Sequence, residues 1–506
     1  MKKIYPLNIL AKIVSKQKAK GKKIALCHGV FDLLHIGHIK HFKEAKSLTD
    51  TLIVTITSDK YVNKGPNRPA FDEQNRVEAI AALDNVDFVA LNRDATALPA
   101  IEKLKPHIYC KGPDYKLHKN DISGVIKKEI NAVRKIGGKT VYTKDVTFSS
   151  SKLINALSDI HSIEQKLILK KIKKKYTFAK VKSLYDSFKK LKVLVIGETI
   201  IDQYYFCEAL GKSGKEPVLV LRGLKEEEYL GGAAAISRHL SQFCNKITLL
   251  TMLGEKAEFL QKIKKDLPKN INLDYIKKKN SPTILKKRFL DDVSNNKILG
   301  VYKINDDPLS IENEKLLNKK LKKLLNNHDL IIVSDYGHGF ISRKSSELIR
   351  KHSKYLALNA QVNAANIGYH SMRKYKNIDC VIINEKELRY ELRDKNSKID
   401  LLIRKFSLEQ NINNLIVTRG KDGSIFYDKK EGKFCFCDAF AKKSVDKVGA
   451  GDAMLSIIAL CLKSNLNKEL SLLSGSLAAA QSVETFGNKE VVNKIKILKG
   501  IEHLLK

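Results

Sequence analysis

The segment from Cys27 to Phe42, CHGVFDLLHIGHIKHF, constrains the fold of this chain more than any other stretch. It follows a short apolar run that predicts a buried strand, and the apolar spacing after it predicts a helix beginning near Ile36. Gly37 stands between His35 and His38 at that helix start, where unpaired amides and the positive end of the helix dipole attract phosphate. Gly37 has no side chain, so a triphosphate can approach the backbone, and two imidazoles can donate to its oxygens. The pattern predicts a strand–turn–helix phosphate site; the alternative is two ordinary histidines on a surface helix.

The first 157 residues alternate apolar strands with helical stretches. This alternation predicts a parallel sheet with right-handed crossovers, a Rossmann-like α/β domain over residues 1–157. Functional loops are expected at the carboxyl ends of the strands. The predicted strands are residues 23–27, 51–57, 86–91, 107–110 and 139–142.

Five further motifs follow in order within this domain: Thr57-Ser58-Asp59, KGPNRP at 64–69, EQNR at 73–76, KGPDY at 111–115 and FSSSKLI at 148–154. Together with the histidine segment they resemble the HxGH nucleotidyltransferases. The likeness is greatest to the cytidylyltransferases and to the adenylyltransferase half of bifunctional heptose kinase/adenylyltransferases. The resemblance implies that His35 and His38 are catalytic. It also implies that nucleotide or phosphate is bound by Gly29, Phe31, Asp32, Gly37, Lys64, Arg76, Ser149, Ser150 and Ser151.

A second phosphate-binding pattern stands near the C-terminus, in the segment DKVGAGDAM from Asp446 to Met454. A turn of small residues leads there into an apolar helix, whose first amides can cradle a transferring phosphate. Asp452 is then placed to accept a proton from an attacking hydroxyl. The alternative is a glycine-rich loop capped by an aspartate, which is a favourable N-cap residue.

Other segments of the C-terminal part support the first interpretation: GETIIDQY at 197–204, GGAAA at 231–235, SDYGHG at 334–339, NEKE at 384–387 and VTRGKDG at 417–423. With the GAGD segment they resemble the ribokinase-type sugar kinases, also called the phosphofructokinase-B family. The resemblance implies a ribokinase-like α/β domain over residues 185–506, in which Asp452 is the catalytic base. It further implies ATP and phosphate contacts from Thr418, Gly420, Gly423, Gly449, Ala450 and Gly451, sugar contacts from Asp202, Gly231 and Gly232, and a magnesium site at Asn384 and Glu387.

The whole chain resembles the bifunctional heptose-phosphate kinase/adenylyltransferases, with the order of the two domains reversed. Three departures stand in the kinase part. Ala235 replaces an asparagine, residues 358–366 replace an Asp-Pro segment, and Val448 replaces a threonine. The first two lie where sugar or phosphate recognition would be set. Two interpretations of these departures stay open: the kinase is active on a different sugar, or the kinase is degenerate.

Residues 158–184 carry dense basic charge and predict a helical, exposed linker between the domains. A basic amphipathic helix on a membrane surface is the alternative. The formal charge of the chain is +38, from 93 Lys and Arg against 55 Asp and Glu. These lysines are spread over nearly every predicted helix, so we expect attraction of anionic substrates and no specific nucleic acid.

The eight cysteines are scattered and form no Cys-x-x-Cys pair, which favours reduced thiols and a cytoplasmic location. No apolar run is long enough for a transmembrane segment, and the N-terminus lacks the features of a signal peptide. Self-association into a homo-oligomer stays open.

The motifs therefore predict a two-domain, sugar-activating enzyme that takes sugar phosphates and nucleoside triphosphates and uses Mg²⁺. The C-terminal domain is expected to phosphorylate a sugar or sugar phosphate with ATP. The N-terminal domain is expected to transfer a nucleotidyl group from ATP or CTP to a sugar 1-phosphate, releasing pyrophosphate, for a surface polysaccharide or lipopolysaccharide precursor. The alternatives are a transferase with a degenerate kinase and a basic RNA- or membrane-binding scaffold.

Overall fold

The computed structural model describes residues 3–65, 68–113, 124–144, 162–362, 366–441 and 444–505. The chain forms two compact units, Met1–Ile160 with Ile495–Lys506, and His161–Lys494. Within the described ranges, no helix is both long and apolar enough to cross a membrane.

The first unit contains a five-stranded sheet of order β3-β2-β1-β4-β5, in which every described pairing is parallel. This confirms the predicted Rossmann-like parallel sheet, with strand ends within two residues of the predicted ones. Its strands are β1 Ile24–Gly29, β2 Thr51–Thr57, β3 Phe88–Asn92, β4 Ile108–Lys111 and β5 Lys139–Tyr142. Its helices are α1 Leu7–Ala19, α2 Ile36–Ser47, α3 Glu73–Ala81, α4 Leu98–Leu104 and α5 Val125–Lys135.

Helices cover both faces of this sheet, so its central strands are apolar on both sides. All seven residues of β2 are buried. Phe42 of α2 and Val77 of α3 belong to one core cluster, and Leu10 of α1 and Ile101 of α4 belong to another. This rigid support places the turn between β1 and α2 at the carboxyl edge of the sheet, where sites of open α/β sheets form.

The second unit is built on a larger mixed sheet with the path β11-β10-β6-β12-β13-β14-β15-β16-β17; β7 and β8 also pair with β6, and β9 with β8. Its strands are β6 Lys192–Lys212, β7 Leu219–Gly232, β8 Lys246–Gly254, β9 Ile271–Lys278, β10 Leu285–Asp291, β11 Lys297–Lys303, β12 Leu330–Asp335, β13 Leu356–Ala360, β14 Ile378–Asn384, β15 Ile412–Thr418, β16 Ser424–Asp428 and β17 Lys433–Cys437.

Helices of the second unit pack on this sheet and complete the expected α/β architecture. They are α6 Ile163–Lys175, α7 Phe178–Ser187, α8 Ala233–Leu240, α9 Leu260–Asp266, α10 Ile311–Leu325, α11 Arg343–His352, α12 Glu385–Leu392, α13 Ile399–Gln410, α14 Ala450–Lys463 and α15 Lys468–Ser482. A last helix, α16 Lys494–Leu504, belongs from Ile495 onwards to the first unit.

The long strand β6 belongs to two parts of the sheet. Its first residues pair in parallel with β8 and β12, whereas Thr199 onwards pairs with β7 in antiparallel fashion. The parallel pairing with β10 begins at Ile201. Asp202 therefore lies just beyond the point where the strand leaves the parallel core and joins the outer strands.

The expectation that residues 158–184 form an exposed linker is wrong for helices α6 and α7, which each have a buried face. Ile168 and Ile172 are buried where α6 packs against β17 and α15, and Val181 and Tyr185 of α7 are buried as well. The segment is helical as predicted, but one face of each helix belongs to the core of the second unit. The buried face was difficult to predict from the sequence, because its apolar residues are four positions apart and lysines stand between them.

Shortening a buried side chain of α6 is expected to destabilise the second unit. Ile172 has no exposed surface, so Ile172→Ala should lower the free energy of unfolding by about 2–4 kcal/mol in urea titrations of the full chain. Ile163, on the same helix, is 74% exposed, and Ile163→Ala should change the value by less than about 0.5 kcal/mol. Equal, small effects of both substitutions would mean that α6 is an exposed connector after all.

Candidate active sites

The turn between β1 and α2 brings His35 and His38 together. His35 is the N-cap of α2, and its Nδ1 accepts a hydrogen bond from the amide of Gly37 at 3.1 Å. The two imidazole rings stack, with centroids 3.9 Å apart and planes inclined by 20°. The helix starts at Ile36 as predicted, so both imidazoles lie at its positive end.

Both histidines are held in the neutral form. Burial lowers the pKa of His38 to about 3, and the charges of His35, Lys64 and His41 add to this effect. Burial also lowers the pKa of His35, with a further contribution from Lys64. The Nδ1 atom of His38 is buried and has no hydrogen-bond partner among the described residues. An anion at this turn would supply the missing partner and relieve the positive field.

Gly29 and Phe31 shape the turn. Phe31 has a positive φ of 49°, and its ring lies edge-on to His38 with a centroid distance of 5.3 Å. A Cβ atom at Gly29 would lie 2.9 Å from that ring. Gly29 is therefore needed for the packing of Phe31, which in turn supports the imidazole of His38. Their predicted contacts with nucleotide stay predictions.

Asp32 anchors a neighbouring loop. It is buried, and its carboxylate accepts from Arg68 Nη1 at 3.0 Å and from the amides of Ala70 and Phe71 at 2.6 and 3.2 Å. These bonds tie the start of the turn to the segment that follows Lys64. Asp32 thus has a positioning role in the structure, and its predicted phosphate contact stays a prediction.

Arg76 is also buried, and all three of its guanidinium nitrogens donate to the protein. Nη1 donates to Val30 O at 2.6 Å, and Nη2 to Thr57 O at 2.9 Å. Nη2 also forms an ion pair with Asp59 at 2.6 Å, and Nε donates to Phe71 O at 3.0 Å. Arg76 therefore holds the ends of β1 and β2 in register. Its predicted phosphate contact is untested, and Ser149, Ser150 and Ser151 lie outside the described residues.

In the second unit, Asp452 lies in the first turn of α14, which contacts β12, β13 and β14. Gly449 is the N-cap with φ of 88°, and a Cβ atom there would lie 2.1 Å from Asn488 Oδ1. Only glycine fits this position without strain. The helix dipole directs positive potential to Ala450 and Gly451, as expected for an anion cradle.

Asp452 is buried beside groups from three strands. Tyr336, directly after β12, donates its hydroxyl to both carboxylate oxygens, at 2.9 and 3.0 Å. Burial raises the pKa of Asp452 to about 7; the Tyr336 hydrogen bond opposes this, the charge of Asp202 adds to it, and Lys286 opposes it. A carboxyl with a pKa near neutrality suits a general base at physiological pH.

The double glycine lies beside Asp202, as the sugar-site prediction requires. Asp202 forms an ion pair of 2.5 Å with Arg288 on β10. A Cβ atom at Gly231 would lie 2.3 Å from Asp202 Oδ2, and one at Gly232 would lie 3.2 Å from the Tyr336 ring. Gly231 therefore makes room for the Asp202 side chain, whereas the closest contact of a Cβ atom at Gly232 would be Glu198 O, at 2.3 Å. Their predicted sugar contacts stay predictions.

Asn384 and Glu387 form a capping box at the start of α12. Asn384 Oδ1 accepts from the Glu387 amide at 2.9 Å, and Glu387 Oε2 accepts from the Asn384 amide at 3.1 Å. Burial raises the pKa of Glu387 to about 7. No cluster of three or more His, Cys, Asp or Glu suited to a metal occurs in the parts of the chain that the structure describes. One carboxylate and one amide still fit Mg²⁺, which keeps waters and substrate phosphates as most of its ligands.

The predicted ATP residues lie beside this box. Thr418 ends β15 and is the register partner of Asn384 on β14. Gly420 and Gly423 follow with positive φ angles of 60° and 77°, and a Cβ atom at Gly423 would lie 2.0 Å from Cys437 O. The structure therefore brings the predicted ATP and magnesium residues to one sheet edge.

The sequence motifs assign no function to several residues of the kinase site. Tyr336 belongs to the SDYGHG motif, but the motif by itself does not indicate what this side chain does. Lys286 and Arg288 stand in β10, and no local pattern distinguished them from the many other basic residues of the chain. Lys286 is buried and its Nζ lies 5.5 Å from the centre of the Tyr336 ring.

The fold and these sites define an α/β protein with one nucleotidyltransferase-type domain and one sugar-kinase-type domain. Residues 190–494 match the pfkB family carbohydrate kinases, and the chain belongs to this family. Residues 26–156 match the cytidylyltransferase-like family. The order of the two domains along the chain is therefore as the motifs predict.

Similar proteins match the nucleotidyltransferase portion of the chain. The bifunctional protein HldE of Geobacter metallireducens is 42% identical over 139 residues, which are 27% of this chain and 27% of that protein. HldE of Pelobacter propionicus is 40% identical over 139 residues, with the same coverage. The match thus spans about a quarter of each of these relatives.

Solved structures agree with the kinase fold. Phosphofructokinase-2 from Escherichia coli in complex with potassium has a TM-score of 0.51 at 15% identity, covering 62% of this chain and 100% of its own. The same enzyme in complex with substrates and products has a TM-score of 0.51 at 17% identity, with the same coverage. At this identity the likeness shows the fold alone.

Proposed function

We propose that this protein is a bifunctional sugar-activating enzyme. The C-terminal domain phosphorylates a sugar or sugar phosphate with ATP. The N-terminal domain transfers a nucleotidyl group from ATP or CTP to a sugar 1-phosphate and releases pyrophosphate, in the synthesis of a surface polysaccharide or lipopolysaccharide precursor. The observation that supports the proposal is that one chain holds two helix N-termini with suitable side chains, one with stacked histidines and one with a buried aspartate.

In the kinase, the substrate hydroxyl attacks the γ-phosphorus of ATP. Asp452 takes the hydroxyl proton, a new oxygen–phosphorus bond forms, and the bond to ADP breaks. The start of α14 at Gly449 supports the transferring phosphoryl group through its amides. Asp202 and its ion pair with Arg288 stand where the sugar would be held.

In the transferase, no nucleophile of the protein is needed, because a phosphate oxygen of the sugar phosphate attacks the α-phosphorus. Pyrophosphate leaves in line with this attack. His35 and His38 donate hydrogen bonds to the phosphate chain and stabilise its developing charge. Lys64 lies close enough to affect the pKa of both imidazoles, so its charge also acts on the bound phosphates.

Magnesium is proposed for both reactions, as nucleotide substrates of these families suggest. When bound it would neutralise phosphate charge. In the kinase, Asn384 and Glu387 would hold it, and their place beside Thr418 supports this assignment.

An active kinase is favoured over a degenerate one by the geometry. The departures at Ala235 and residues 358–366 leave Asp452, Gly449 and Glu387 in place. Ala235 is buried in α8, and residues 363–365 lie outside the described part of the chain. We therefore propose phosphorylation of a different sugar, with heptose 7-phosphate a poor substrate.

The test is a panel of sugars and sugar phosphates incubated with ATP or CTP and Mg²⁺, with ADP and pyrophosphate release measured separately. ADP release that depends on the sugar establishes the kinase, and pyrophosphate release that depends on a sugar phosphate establishes the transferase. Absence of both across the panel would favour the scaffold alternative. We also propose a cytoplasmic location, supported by eight buried, free cysteines, and leave homo-oligomer formation to be measured.

We propose residues 1–157 as the transferase domain and residues 185–506 as the kinase domain, joined by residues 158–184, in which helices α6 and α7 each have a buried face. Residues 1–157 expressed alone are expected to fold cooperatively and to keep transferase activity, because the first unit has its own sheet and core clusters. Circular dichroism and pyrophosphate release check this. A fragment that aggregates or is inactive, while the full chain is active, would show that the domain extends further.

A further inference from the structure

The contact between Tyr336 and Asp452 joins two motifs that are 116 residues apart in the chain. One hydroxyl proton points between the two carboxylate oxygens, at nearly equal distances of 2.9 and 3.0 Å. This arrangement fixes the orientation of the carboxylate. Each oxygen keeps lone pairs for a further donor, so the contact leaves room for a substrate hydroxyl.

Tyr336 is itself held from several sides. Its amide donates to Glu198 Oε2 at 3.0 Å, and its carbonyl accepts from Asn366 Nδ2 at 2.7 Å. Its ring packs beside Gly232, where a Cβ atom would lie 3.2 Å from the ring. The hydroxyl is therefore placed before any substrate arrives, as preorganised catalysis requires.

Three charged or polar groups face Asp452 from separate strands: Asp202 from β6, Lys286 from β10 and Tyr336 from the end of β12. Burial and Asp202 favour the neutral carboxyl, whereas Tyr336 and Lys286 favour the carboxylate. Of the two favourable groups, only Tyr336 forms a hydrogen bond with Asp452 in the described structure. Its loss would thus shift the balance toward the protonated acid.

We propose that Tyr336 is a positioning residue for the kinase: it orients Asp452 and stabilises the carboxylate that accepts the proton of the substrate hydroxyl. The inference rests on the proposed kinase function for its kinetic consequence. Its structural consequence is independent of any substrate.

The substrate-independent test is urea unfolding of the full-length Tyr336→Phe variant at pH 6 and pH 9. Burial raises the pKa of Asp452 in the folded state to about 7, above its value in the unfolded chain. The free energy of unfolding therefore falls as the pH rises toward 7, because over this range the folded protein keeps a proton that the unfolded chain has released. Removing the Tyr336 hydroxyl should raise the pKa of Asp452 further, so the free energy of unfolding should continue to fall up to a higher pH than in the wild type. The difference in unfolding midpoint between variant and wild type should therefore widen from pH 6 to pH 9. When both chains also carry Asp452→Asn, the difference in unfolding midpoint caused by Tyr336→Phe should be the same at pH 6 and at pH 9.

The kinetic test uses the acceptor found in the substrate panel. For Tyr336→Phe, the acidic limb of kcat/KM should move up by about one to two pH units, the shift expected for losing a hydrogen bond to a charged group. Phosphorylation at pH 7 should fall by about 5- to 50-fold, the loss given by a shift of one to two pH units from a pKa of about 7, and largely recover by pH 9.5, with KM for ATP unchanged. Such a recovery is not expected from a merely structural defect.

Tyr355→Phe is the matched control, because the hydroxyl of Tyr355 is buried and has no hydrogen-bond partner among the described residues. Tyr355→Phe should reproduce the wild-type pH profile of kcat/KM. Its unfolding midpoint should differ from that of the wild type by the same amount at pH 6 and at pH 9. A Tyr336→Phe midpoint difference that is constant with pH would overturn the proposal, whether or not an acceptor has been found. An unmoved acidic limb would overturn it as well.

Discussion

Asp452→Asn is expected to lower the turnover of sugar phosphorylation by about 10²–10⁴ while ATP still binds, because asparagine keeps the shape of the side chain but accepts no proton. The measurement is ADP release with the acceptor from the panel, together with calorimetric titration of ATP and Mg²⁺. Pyrophosphate release by the N-terminal domain serves as the internal control and should not change.

The pH dependence of the wild-type kinase follows from the same residue. The base must be ionised, and the pKa of Asp452 is raised to about 7, so the rate should increase with pH through that value. Unchanged turnover in Asp452→Asn would refute the assignment of the base. Failure of the wild-type protein to bind ATP and Mg²⁺ at millimolar concentrations would favour the degenerate-kinase alternative.

His38→Ala is expected to lower pyrophosphate release by about 10²–10³, the usual effect of losing one donor to a transition state. His38 stacks on His35 and holds a buried Nδ1 atom without a partner, so the substitution removes a group directed at the turn. Kinase turnover, measured on the same preparation, should stay near the wild-type value.

His107→Ala is the control for this substitution. The Nδ1 of His107 accepts from the Ile24 amide at 3.0 Å, at the end of β1 opposite to the histidine turn. It should cost some stability and leave the nucleotidyl transfer rate unchanged. A His38→Ala variant with wild-type pyrophosphate release would refute the transferase site, whatever the control shows.

Local patterns were sufficient for much of the fold and the placing of the sites. The strands of the first unit and the start of α2 at Ile36 follow from hydrophobic periodicity, which depends on neighbouring residues only. Gly449 has the positive φ that its glycine-rich turn requires. Cys435 and Cys437 are buried and Phe436 is exposed, which is the alternation that a β-strand with one covered face produces.

The roles of individual polar residues were less predictable. Asp32 and Arg76 stand in motifs that resemble nucleotide-binding ones, yet the structure shows their side chains bonded to backbone groups of neighbouring loops. A motif specifies which residue type occurs near a site, but the direction of its side chain depends on acceptors contributed by other segments. Only those acceptors decide whether a charge faces a ligand or the protein.

By itself, the sequence determined the α/β class, the two families and the helix starts that attract phosphate, because each depends on short-range spacing and residue type. The tertiary structure decided that α6 and α7 are part of the second unit, since burial depends on what packs against a helix. It also decided that Tyr336 bonds to Asp452. A hydrogen bond between residues 116 positions apart arises only when β12 and α14 pack together, and no local pattern records that packing.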